Sequence, residues 1–172
     1  MRSVTAVTIM ALCVAPLFAQ EANDIVIDGD FADWEAIPIA IEDPNDMGPG
    51  NIHGDYKSIK VASTDDTLFA LETVYGDAAP ADGFRYYYHL LIDADSDAST
   101  GVPNDAYEGN PTGVADVIGS DFHVQIGRDA GANDGISVTH LESQEVVFED
   151  FRWMNGGDSM ELSVDFDVFV AP

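Results

Sequence analysis

DYKSIKVASTDDTLFALETV, residues 55–74, alternates its side chains on both sides of an Asp65-Asp66 pair. Tyr56, Ser58 and Lys60 fall on one side of the pleat and Lys57, Ile59 and Val61 on the other, the two-residue period of a β-strand. TLFALETVYG resumes the pattern straight after the aspartates, so residues 55–75 are predicted to form a β-hairpin. The same period recurs outward. FRYYYHLLID (84–93), ADVIGSDFHVQIG (115–127), ISVTHLE (136–142), EVVFEDFRW (145–153) and SMELSVDFDVFV (159–170) are expected strands, and DIVIDG (24–29) a short one. DFADWEA (30–36) suits a single helical turn, with Trp34 expected in the core among apolar neighbours. Short strands separated by Gly, Asp, Asn and Pro predict an all-β protein, an antiparallel β-sandwich.

The chain has 172 residues, enough for one domain with one sizeable core. Its opening MRSVTAVTIMALCVAPLFAQ has the layout of a secretory signal peptide: Arg2, an apolar run from Val4 to Phe18, then Ala19 before polar residues. The expected division is a signal peptide at 1–19 and one domain at 20–172, secreted or periplasmic, with no membrane insertion once the leader is removed. The sole cysteine, Cys13, falls inside the leader, so no disulfide is expected. SMELSVDFDVFV stops almost where its strand pattern finishes, the expected mark of a domain curtailed at its C-terminal end.

Six Lys and Arg face 32 Asp and Glu, a formal net charge of −26. A nucleic-acid partner is excluded, because such binding needs a basic surface to displace counterions. Cations and neutral sugars remain.

The loop that follows FRYYYHLLID concentrates this charge. LLIDADSDASTG (90–101) carries Asp93, Asp95 and Asp97 at alternate positions, as several calcium loops do where carboxylates wrap a hard cation. It is not an EF-hand, since the sixth position is Ala98 rather than glycine and the twelfth Asn104 rather than glutamate. Asp116, on the next strand, is a candidate fourth ligand. The alternative is a solvated turn, since aspartates favour turns by bonding their own backbone. Asp93, however, ends an apolar strand, where a charge is costly without a partner. EDPNDMGPGNIHGD (42–55) supplies a second acidic group, Asp43, Asp46 and Asp55. Pro44 and the glycines already explain a loop there, and a cation site would need its two ends to meet.

Sugars are bound by aromatic faces with polar groups around them. Arg85, Tyr87 and His89 fall on one face of FRYYYHLLID, opposite the apolar face of Phe84, Tyr86, Tyr88, Leu90 and Ile92. With Trp153 they form the candidate ligand-binding set, against the alternative of an ordinary half-exposed strand. No HExxH pairing, nucleophile elbow or mature thiol argues for catalysis. Haem would require an axial His or Met, for which His89, His123 and Met154 are available.

Four segments together resemble the carbohydrate-binding module family 9-like superfamily. VIDGDFADW (26–34) is similar to its IDG…DW opening, and residues 55–74 to its next hairpin. YYYHLLIDADSDASTG (86–101) is similar to its LIDTDNDPSTG strand and loop, and GVADVIGSDFHVQIG (113–127) to the strand that follows. The resemblance spans about residues 25–127. It implies a secreted, jelly-roll-like sandwich, often a module of a larger polysaccharide-active or surface protein, with calcium bound in the acidic loop. The expectation is therefore a non-catalytic module for polysaccharide or cell-surface glycan, stabilised by Ca2+ at Asp93, Asp95, Asp97 and Asp116. A structural or adhesive calcium module without sugar binding is the alternative, and a haem electron-transfer domain of the same superfamily a third.

Overall fold

The hairpin expected at residues 55–75 lies inside a five-stranded antiparallel sheet. A computed structural model describes residues 24–78, 80, 85–102, 119–129, 132–150 and 153–170. The strands are β1 (Ile39–Glu42), β2 (Tyr56–Ser63), β3 (Thr67–Val74), β4 (Arg85–Ile92), β5 (Phe122–Asp129), β6 (Ala132–His140), β7 (Glu145–Asp150), β8 (Trp153–Gly156) and β9 (Ser159–Asp165). One sheet has the order β1-β2-β3-β9-β8 and the other β4-β5-β6-β7, and every pairing is antiparallel. The protein is thus an all-β sandwich. Its chain completes three strands of the first sheet, winds the whole second sheet as a meander, and returns with β8 and β9.

Alternation chooses the inner face, except that an irregularity in β2 between Tyr56 and Ser58 brings Tyr56, expected opposite Ile59, into the same core. Ile59, Ala70, Val74, Met160, Leu162 and Val164 from the first sheet meet Tyr88, Phe122, Val124, Ile126, Ile136 and Val138 from the second in one apolar cluster. The turn of the β2–β3 hairpin is closed by Thr64, whose N–H donates to Thr67 O at 3.0 Å and whose hydroxyl donates to Asp66 Oδ1 at 2.7 Å.

Three expected elements change. DIVIDG is not a strand: residues 25–38 instead lie across the outer face of the first sheet, where Trp34 and Ile37 pack with Ala62 and Leu71. The 3-10 turn Phe31–Trp34 follows an N-cap at Asp30, whose side chain accepts from Ala32 N–H, and Trp34 is fully buried as expected. EVVFEDFRW divides between β7 and β8, which belong to different sheets. SMELSVDFDVFV stays extended only to Asp165, because β3 begins opposite it at Thr67 and offers nothing further to pair with. A 3-10 turn at Phe166–Phe169 then lets Val168 and Phe169 pack on the core.

One buried acid links the sheets. Tyr56 donates its hydroxyl hydrogen to Glu72 Oε2 at 2.9 Å and accepts from His89 N–H on β4 at 3.0 Å. Burial pushes the Glu72 carboxyl up to about 7, although the Tyr56 hydrogen bond opposes this. A raised carboxyl pKa means the folded state holds a proton that the unfolded chain releases near 4.5, so stability is full below about pH 4.5 and drains as pH rises towards 7. Glu72→Gln, with its amide oxygen still accepting from Tyr56, is expected to flatten that slope and to raise stability above pH 7 by about 2 kcal/mol. Urea unfolding at several pH values measures it, and an unchanged slope would refute the assignment.

Candidate metal centre at the end of strand β4

β4 leaves its sheet at Ile92, and the following backbone is held by a ladder of short-range bonds. Asp95 Oδ1 accepts from Asp97 N–H at 2.9 Å, Thr100 N–H donates to Asp97 O at 2.9 Å, and the Thr100 hydroxyl donates to Asp95 Oδ2 at 3.0 Å. Ser96 takes the left-handed conformation at φ 60° to make the bend. The loop then returns to the start of β5, where Val102 and Ser120 exchange backbone hydrogen bonds of 2.9 and 3.0 Å. Gly101 and Gly119 permit this closure: both have positive φ, and a Cβ on either would stand 2.6 Å from a backbone oxygen of the other segment.

The closure places Asp121 beside Asp93. Ile92 pairs with Phe122, so the residues just outside the ladder, Asp93 and Asp121, face each other. Asp121 Oδ2 also accepts from Ala94 N–H at 2.8 Å, and Asp121 N–H donates to Ile92 O at 2.8 Å. Asp93, Asp95 and Asp121 each contribute a carboxylate oxygen, and the three oxygens lie within 4.8 Å of one another. Calcium binds oxygen at roughly 2.4 Å, so ligands on opposite sides of one ion stand about 4.8 Å apart. The donor set therefore fits.

Asp93 Oδ1 is buried and accepts no hydrogen bond from any described residue. Burial holds the Asp93 carboxyl above the usual carboxylate range. The Ser96 N–H pulls the other way, and repulsion from Asp121 and Asp95 adds to the rise. Neither lysine neutralises the group: Lys57 pairs with Asp158 at 3.9 Å and Lys60 donates to Trp34 O at 2.7 Å.

Of the expected ligand set, the structure brings Asp93 and Asp95 together. Asp97 is exposed and stands outside the cluster; its Oδ1 accepts from Ser99 N–H and Oγ at 2.9 and 2.5 Å, which holds its carboxyl below the usual range. It caps the turn. Asp116 lies outside the described residues. Asp121, absent from the expected set, stands 28 positions beyond Asp93, and only the β4–β5 register shows that the two meet.

The expected binding strip also changes. Tyr87 and His89 share a face as the pleat requires, but His89 is only 3% exposed and stacks between Tyr87 and His123. His89 Nδ1 lies 2.7 Å from His123 Nε2. Arg85 begins β4 and Trp153 begins β8; the side chains of both lie outside the described residues. An open groove of about 480 Å³ instead lies by β1 and β2, lined by Glu42, Asp43, Lys57, Ser58 and Tyr75. Tyr75 is 36% exposed, and its hydroxyl donates to Asp43 O at 2.9 Å.

Burial holds both imidazoles neutral, His89 lowered to about 4 and His123 to about 3, the latter also by the nearby His89. Below about pH 6.5 the unfolded chain takes up protons that the folded pair refuses, so this contribution is full above pH 6.5 and is lost as pH falls. Neither ring is expected to titrate between pH 5 and 8 by NMR. A midpoint near 6.5 for either would refute the buried pair.

Comparison with family models, with curated proteins and with solved structures finds no match to this chain. Among the described residues no helix is long and apolar enough to cross a membrane.

Proposed function

We propose that this protein is a secreted, non-catalytic carbohydrate-binding-like module whose acidic loop is held by calcium at Asp93, Asp95 and Asp121. The observation that carries the metal is the buried, unanswered Asp93 Oδ1 within a cluster of carboxylate oxygens of calcium dimensions. An ion there supplies the positive charge that neither lysine provides, and it ties the end of β4 to the start of β5. The resemblance of residues 25–127 to family 9-like modules supports the sugar reading. So does the groove beside Tyr75, where an aromatic ring stands among Lys57, Glu42 and Ser58. Pyranose faces are apolar while their hydroxyls need polar partners, and such a surface offers both.

Burial of His89 favours a second reading, a structural or adhesive calcium module without a glycan site, since it removes one member of the strip that sugar would contact. Retention on insoluble polysaccharides separates the two readings. The carbohydrate reading expects retention that Tyr75→Ala weakens about tenfold. No retention on any polysaccharide, with calcium still raising the melting temperature, would leave the structural module. A Soret band in the purified protein would replace both with the haem reading.

A further inference from the structure

Asp43, Asp46 and Asp55 belong to the loop between β1 and β2, and the fold brings that loop's ends together. Asp43 N–H donates to Lys57 O at 3.1 Å, Tyr75 N–H donates to Asp55 O at 2.9 Å, and the Tyr75 hydroxyl fastens Asp43 O. Farther along the loop, His53 Nδ1 accepts from Asp77 N–H at 2.8 Å, and the Tyr88 hydroxyl donates to His53 O at 2.9 Å. Each of the three aspartates thereby presents a carboxylate oxygen, all within 4.8 Å of one another.

Asp55 is 0% exposed. Its Oδ2 accepts from Met47 N–H at 3.3 Å, while its Oδ1 is buried and accepts no hydrogen bond from a described residue. An ionised oxygen in that position is costly unless a charge answers it. Lys57, two residues along the chain, reaches Asp158 instead.

We propose that Asp43, Asp46 and Asp55 form a second divalent-cation site, suited to calcium and separate from the one at Asp93. Hard carboxylate oxygens on a loop rather than a rigid octahedral cage favour the larger ion over magnesium. The site is independent of the first because it lies towards the other end of β4. His53 in this loop contacts Tyr86 and Tyr88, five to seven residues before Asp93, a strand distance of roughly 20 Å. A cation here would also fix Asp43 and Tyr75, two walls of the groove.

Isothermal titration of calcium chloride into the chelator-stripped full chain tests the proposal. Two equivalents are expected for the wild type. Asp46→Asn and Asp43→Asn should each remove one equivalent, or weaken one site at least tenfold, while leaving the other unchanged. Asp46 is exposed, so its substitution leaves the core intact, and circular dichroism checks the fold of each variant. Asp93→Asn should remove the other equivalent. A single equivalent removed by Asp46→Asn but untouched by Asp93→Asn would support this site and overturn the first. Unchanged stoichiometry and affinity in both loop variants would overturn this one.

Discussion

Calcium at the Asp93 site is expected to raise the melting temperature of the chelator-stripped protein by about 8–16 °C, and Asp121→Asn to remove that part of the rise. An ion that binds only the folded state at a thousandfold excess over its Kd adds about 4 kcal/mol. A domain of this size gains roughly 2–4 °C for each of those kcal/mol. The substitutions discriminate between ligand sets. Asp93→Asn and Asp121→Asn should lose the response of this site while leaving the metal-free protein no less stable, because each removes one charge from a repelling cluster. Asp97→Ala should keep the response, since that carboxylate caps Ser99 and stands apart from the other three. Loss of the response in Asp97→Ala, or its full survival in Asp121→Asn, would refute the geometry drawn here. Calorimetric scans with calcium and with chelator provide the measurement.

Glu161→Ala is expected to cost about 4 kcal/mol and to release the N-terminal segment to proteolysis. Glu161 sits on the outer face of β9, fully buried beneath residues 25–38. Its Oε1 accepts from Asp28 N–H at 2.9 Å and Gly29 N–H at 2.6 Å, and its Oε2 accepts from Trp34 Nε1–H at 2.9 Å. Burial raises its carboxyl above the ordinary range, and the three donors oppose that rise. Truncation leaves three N–H groups without their acceptor, each worth roughly 1–3 kcal/mol when it stays buried. Partial entry of water keeps the total below the simple sum. Glu161→Gln retains an acceptor oxygen but loses the charge and should cost about half as much. Chemical unfolding combined with limited proteolysis reads both effects; an alanine variant as stable and as resistant as the wild type would show that the segment is held by packing of Trp34 alone.

Glu161 also shows where pattern reading stops. In SMELSVD the period of two assigns Met160, Leu162 and Val164 to one face and Ser159, Glu161 and Ser163 to the other. The polar side would ordinarily face water, yet all six are buried. An acid at one position cannot signal the three donors that another segment brings over it. The same limit applies to FRYYYHLLID, where the alternation of Tyr86 and Tyr88 with Tyr87 and His89 correctly separates the faces. The pairing of β4 with β5 then sets His123 diagonally beside His89, their ring nitrogens 2.7 Å apart, which no local pattern announces.

The sequence by itself determined the all-β class, the 55–75 hairpin, the core face of β4, the buried position of Trp34 and the acidic loop at the end of β4. These follow from local steric period and from the charge a short segment carries. Tertiary structure alone decided that Asp121 rather than Asp97 stands with Asp93 and Asp95, that Asp43 and Asp46 meet Asp55, and that a segment expected as a strand covers Glu161. Each of these depends on strand register or loop closure. A period of two says which way a side chain points, and it is silent about what arrives there from elsewhere in the chain.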